Sequence, residues 1–150
     1  MRKKNLPDKI AENIDKDRFD YEIKYSEYAG HAKILAKEAV DEQFDIVVAA
    51  GGDGSINEIG VPLIDTDVAL GIIPCGSGNG FSHHVDLPLN AVKAIMVINQ
   101  GQRHKVDTVT VNGIPFISIA GITRIRSTMP NVFSTLLKND HPPFLSSRTL

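Results

Sequence analysis

Apolar and polar positions alternate along this chain in a repeating order of helix-like and strand-like stretches. Leu6, Ile10, Ala11 and Ile14 recur among charged residues, the spacing of a short amphipathic helix over Leu6 to Asp17. Phe19 to Tyr25 alternates with a period of two and predicts a strand. Gly30 to Val40, with Ala32, Ile34, Leu35, Ala39 and Val40 set among Lys and Glu, predicts a second helix. Phe44 to Ala50 is an almost unbroken run rich in Val and Ile, the signature of a strand covered on both faces of a parallel sheet. The order then repeats, with Ile56 to Leu63 as helix and Val68 to Ile73 as strand. Asn90 to Ile98 follows as helix, with Gly101 placed for a left-handed C-cap. Strand–helix alternation of this kind predicts an α/β domain over residues 1–100, a parallel sheet with flanking helices.

At Lys105 the pattern changes. Val106 to Val111 runs into Asn112-Gly113, a strong two-residue turn signal, and Ile114 to Ile119 returns as the second arm of a hairpin. We therefore expect a domain boundary near residue 101, with 101–122 as the start of a β-rich second domain. Thr123 to Leu150 shows neither period. It holds Pro130, Pro142 and Pro143, sets Arg124, Arg126, Lys138 and Arg148 against the single acid Asp140, and reads as an irregular, flexible tail.

Two glycine-rich loops carry the candidate chemistry. Gly51-Gly52-Asp53-Gly54-Ser55-Ile56-Asn57-Glu58 and Pro74-Cys75-Gly76-Ser77-Gly78-Asn79-Gly80 each follow an apolar strand and each open a helix. Glycine lets backbone amides approach phosphate oxygens, and the helix behind each loop adds unpaired N–H groups and the positive end of its dipole. Together they can grip a triphosphate at the carboxyl ends of the strands, where ligands bind in open α/β folds. Asp53 would repel a bare phosphate. Either a divalent cation lies between them or Asp53 is a helix N-cap. Asn57 and Glu58 lie where they can position a phosphate or a water, although Glu58 also suits a cap. Ser77 and Asn79 offer a hydroxyl and an amide between Gly76, Gly78 and Gly80. His83 and His84 come next, and a solvated or hydrogen-bonding role suits them better than a metal site.

Composition narrows the setting. The chain has 150 residues, 42% hydrophobic and 23% charged, with a formal net charge of -2, which argues against a nucleic-acid partner. Its charged start predicts no secretory leader, and no apolar run is long enough to span a bilayer, so a cytoplasmic location is expected. The one cysteine, Cys75, excludes an internal disulfide. Its place in the second loop suits either a reactive thiol or a small residue filling a tight turn.

From about Tyr21 to Ile122, both loops in order with the intervening strand resemble the catalytic domain of the diacylglycerol kinase and sphingosine kinase superfamily, including its bacterial lipid kinases. Tyr25-Ser26 before Gly30-His31-Ala32 is similar to the family's stretch ahead of the first loop. Asp107 and Phe116 to Gly121 resemble the entry into its second domain. The resemblance implies ATP with Mg²⁺ between two lobes and transfer of the γ-phosphoryl group to the hydroxyl of diacylglycerol or a related lipid, with transient contact at a membrane surface. By position, Gly51 to Glu58 and Gly76 to Asn79 would hold ATP, with Ser26 at its edge and Asp53 near the metal. The family's general base, an Asp deep in the second domain, has no counterpart here, nor has the Asn-Pro strand with which the family opens. Very low turnover is therefore expected of this chain alone. After Ile122 the family continues into Gly-Phe-Asp, whereas Thr123-Arg124-Ile125-Arg126 stands here, and a shift of reading frame would account for that break. Two other classes share parts of the pattern. NAD kinases carry the Gly-Gly-Asp-Gly loop, and a non-catalytic nucleotide-binding remnant would carry both loops.

Overall fold

The computed structural model describes residues 5–117 and 145–149. Helix α1 spans Leu6–Asn13 and α2 His31–Asp41. Strand β1 (Ile46–Gly51) leads into α3 (Asp53–Gly60), and β2 (Ala69–Pro74) into α4 (Gly80–His84). Helix α5 (Ala91–Gln100) precedes strands β3 (Asp107–Val111) and β4 (Ile114–Phe116), and β5 is Leu145–Thr149. Strands β1 and β2 pair in parallel from Ile46↔Ala69 to Gly51↔Pro74.

That register sorts the two faces of the sheet. Paired residues point the same way and successive ones to opposite sides. Ala49 and its partner Ile72 therefore join one buried cluster with Ile56 of α3, Phe81 of α4 and Ile117. Ala50 and its partner Ile73 face the other cluster, with Leu6 of α1 and Ala91, Ala94 and Ile95 of α5. Helices thus cover both faces, as an α/β domain requires. Cover is thinner on β1 than its apolar sequence predicts, since Val48 is exposed and Ile46 and Val47 are only half-buried.

Local chemistry sets the ends of the elements. The Asn90 side chain accepts from Val92 N (3.0 Å) and Lys93 N (3.3 Å) to cap α5, and Gly101 closes the helix with φ 67°. Asn99 holds α5 to the end of α1, accepting from Asp15 N (3.1 Å) and donating to Asn13 O (2.8 Å). Arg103 donates to the carbonyls of Asp67 (3.3 Å) and Asp45 (3.4 Å), tying the connection after α5 to the residues ahead of both parallel strands. Asn112 (φ 52°) and Gly113 (φ 80°) turn the β3–β4 hairpin, both left-handed as a type I′ turn demands.

Two expectations change. Phe19 to Tyr25 forms no strand among the described residues. Alternation supplies the right faces, but a strand also needs a hydrogen-bonded neighbour, and Tyr21, Ile23 and Tyr25 stand exposed. The Lys24 ammonium on this segment lies above its ordinary pKa, first because it hydrogen-bonds Glu22 at 2.9 Å. Residues 145–149, read as part of an irregular tail, run antiparallel to β3 from Asp107↔Thr149 to Val111↔Leu145. This pairing rests on backbone groups and needs no apolar alternation to announce it. The remainder of the tail, with the expected change of reading frame, lies outside the described residues.

Ile56 is fully buried under the first loop. Ile56→Ala is expected to cost about 2–5 kcal/mol, from lost burial and the cavity left behind, measured by urea denaturation.

Candidate functional site

Because the parallel ladder ends at Gly51↔Pro74, the two glycine loops leave adjacent strand ends side by side. Cys75 N donates to Gly51 O at 2.9 Å and carries the pairing one step further. Beyond it the loops touch backbone to backbone. A Cβ on Gly76 would stand 2.5 Å from Gly52 Cα and 2.9 Å from Asn79 Oδ1, and one on Gly52 would stand 3.1 Å from Gly76 Cα. These two glycines are therefore required by packing, whatever the loops bind.

Two polar side chains lock the arrangement. Asn79, buried and left-handed at φ 50°, accepts from Gly76 N (2.9 Å) and donates to Gly76 O (2.8 Å), closing the second loop on itself. That leaves α4 without a cap from its own N-cap side chain. Asp53 supplies the cap from across the site: its carboxylate accepts from Gly80 N at 2.9 Å and Phe81 N at 2.8 Å. Ionised acceptors form the stronger class of hydrogen bond, and a helix N-terminus favours negative charge. Asn57, farther along α3, accepts from Ile117 N at 3.1 Å.

The residues singled out from the sequence thus divide. Gly52, Asp53, Gly76, Gly78 and Asn79 come together, Gly78 facing Asp53 Oδ2, which a Cβ would approach to 3.6 Å. Gly54, Ser77 and Gly78 are exposed at the loop surface. The Ser55 side chain folds over Gly51 into the space a side chain there would need. Four of these residues also make defined contacts within the protein. Ile56 is core, its side chain packed with Ala49, Ile72 and Phe81. Asp53 caps α4 and not its own helix. The side-chain oxygens of Asn57 and Asn79 accept from backbone amides. Ser26 is exposed on the connection into α2 and makes none of the hydrogen bonds that join the loops. Glu58 is half-buried, with Oε1 enclosed and without a hydrogen-bond partner among the described residues.

The first turn of α3 has no side-chain cap. A cavity of about 660 Å³ runs along β2 and α5, past Leu70, Ile72, Phe81, Ala94 and Ile98. No glycine of the two loops lines it.

Two parallel strands deliver touching glycine loops to one end of a helix-covered sheet, the frame of an α/β domain. The profile of the diacylglycerol kinase catalytic domain matches residues 1–111, and the chain belongs to that family. It is 38% identical over 115 residues to the diacylglycerol kinase of Bacillus subtilis (strain 168), covering 73% of this chain and 38% of that protein. To the diacylglycerol kinase of Staphylococcus saprophyticus it is 31% identical over 140 residues, covering 90% of this chain and 46% of the relative. That match runs past Ile122, where the sequence reading placed a change of frame. A crystal structure of a diacylglycerol kinase from Bacillus anthracis strain Sterne superposes with a TM-score of 0.60 at 29% identity, over 65% of this chain and 34% of that one. The chain spans less than half the length of the curated relatives it matches.

Asp53→Ala leaves the Gly80 and Phe81 amides without their acceptor. Stability is expected to fall by about 1–3 kcal/mol in urea denaturation, with faster hydrogen exchange at those two amides.

Proposed function

We propose that this chain is the nucleotide-holding portion of an ATP-dependent lipid kinase, which moves the γ-phosphoryl group of ATP to the hydroxyl of diacylglycerol or a related lipid alcohol. The observation that carries the reading is the backbone contact between Gly52 and Gly76, which sets two glycine loops beside the uncapped first turn of α3. Phosphoryl transfer calls for positioning and charge neutralisation more than covalent help from the protein, and backbone amides supply both. In this reading the α3 amides at Gly54 and Ser55 meet phosphate oxygens, and the exposed Ser77 and Gly78 form the opposite wall. Asp53 ties one wall to the other, and Asn79 fixes the shape of the second.

Mg²⁺ would neutralise the triphosphate. Asp53 is the one carboxylate between the loops, and both its oxygens already accept backbone hydrogen bonds. Among the described residues no three His, Cys, Asp or Glu gather as a metal cage. This donor set fits an ion carried by the phosphates, with at most one further contact to Asp53, since Mg²⁺ keeps several waters and few protein ligands.

Family membership favours a lipid hydroxyl over a dinucleotide as acceptor, and the relatives' names point to diacylglycerol. We place the α/β nucleotide lobe up to about residue 100 and the start of a β-rich lobe from 101. The general base belongs to the second lobe, beyond the residues that form this site. A lipid acceptor requires transient contact with a membrane surface. No helix among the described residues is long and apolar enough to cross one.

Calorimetric titration of the chain with MgATP and with NAD tests this reading. Binding of MgATP without NAD is expected, together with a loss of at least about tenfold in affinity in Gly76→Val, which forces the loops apart. Absence of MgATP binding by the folded chain overturns the nucleotide assignment, and preferential NAD binding replaces the lipid acceptor with a dinucleotide.

A further inference from the structure

Helix α3 begins in the first glycine loop, yet its next polar side chain after Ser55 is turned to a different task. Asn57 Oδ1 accepts the backbone N–H of Ile117, 60 residues further along the chain and directly after β4. Ile117 is 5% exposed and lies in the cluster of Ala49, Ile56, Ile72 and Phe81, the same cluster that seats α3 and α4 on the sheet. Gly60 makes this seat possible. Its missing side chain leaves the space that Ile117 Cδ1 takes, and a Cβ there would also stand 3.0 Å from Leu70 Cδ2. Helix α3 thus grips the exit of the hairpin by one polar and one apolar contact, a single turn apart, while its N-terminus carries the glycine loop.

We propose that Asn57 is a positioning residue that registers the β3–β4 hairpin, and the lobe it opens, against the helix bearing the first glycine loop, and that it does not contact the nucleotide. The inference deepens the nucleotide reading and rests on it only for the word positioning; the tie between α3 and Ile117 stands by itself. An acceptor here satisfies an N–H that would be costly to bury unpaired.

Two replacements separate this role from a phosphate contact. Asn57→Asp keeps an acceptor for Ile117 but sets a carboxylate where a phosphate contact would be; Asn57→Ala removes the acceptor and adds no charge. The measurements are amide hydrogen exchange at Ile117 by NMR and MgATP affinity by calorimetry, both on the full chain. We expect Asn57→Asp to retain the protection of Ile117 and the affinity of the parent, and Asn57→Ala to speed exchange at Ile117 by about fivefold or more, the loss of one net hydrogen bond. Unchanged exchange in Asn57→Ala, or a greater loss of MgATP affinity in Asn57→Asp than in Asn57→Ala, overturns the proposal. If Asn57→Ala fails to fold, Gly60→Ala displaces Ile117 from the other side with Asn57 intact. Faster exchange at Ile117 with MgATP affinity kept then supports the tie, and undiminished protection overturns it. A chain that binds no MgATP defeats the nucleotide reading, while the exchange result still decides the tie.

Discussion

The contact between the backbones of Gly52 and Gly76 is the constraint from which the rest of the site follows. It exists because β1 and β2 end their parallel pairing together at Gly51 and Pro74. Two chains leaving adjacent strand ends are only about 4.8 Å apart in the direction of the hydrogen bonds. Loops that start so close either diverge or shed their side chains, and these shed them. The consequence for chemistry is a junction built of amides, with polar backbone exposed toward any anion that enters and little side-chain bulk to hinder it.

Once the loops touch, their helices have to be held at matching heights, and the polar side chains divide that work. Asn79 closes its own loop and so cannot cap α4; Asp53 reaches across to cap it instead. The negative charge this brings into the site is stabilised by the N-terminus of a five-residue helix whose Phe81 is anchored in the core. The same charge opposes phosphate, so a polyanion bound here has to be met by the α3 amides and by the cation it carries. Helix α3 is in this way the hub. It presents amides at one end, sends Asp53 to α4, buries Ile56 between the loops and the sheet, and holds Ile117 through Asn57 and Gly60.

Much of this was legible in the residues themselves, and the boundary between legible and hidden is physical. Patterns that depend on neighbours a few residues apart came through well. The helix ends at Asn90 and Gly101, the Asn112-Gly113 turn and the parallel pair of apolar strands all match. Where formation depends on a distant partner, the local pattern misleads. Phe19 to Tyr25 has the alternation of a strand without a strand beside it, and Leu145 to Thr149 pairs with β3 without alternation. In the site, the glycines singled out for a ligand are also required by the packing of loop on loop. Space for a ligand and space for the other loop are the same requirement on a sequence.

By itself, then, the sequence determined the α/β class, the two loops and the family, because periodicity, turn chemistry and glycine spacing are all short-range properties. Only the tertiary structure decided what the polar residues of those loops do. Asp53, Asn57 and Asn79 all read as groups for a ligand. A hydrogen-bonding side chain cannot announce which of several amides it will reach, and the amides in question lie 28, 60 and three residues away. Their partners are chosen by where the sheet register sets the helices, which is a property of the folded chain alone.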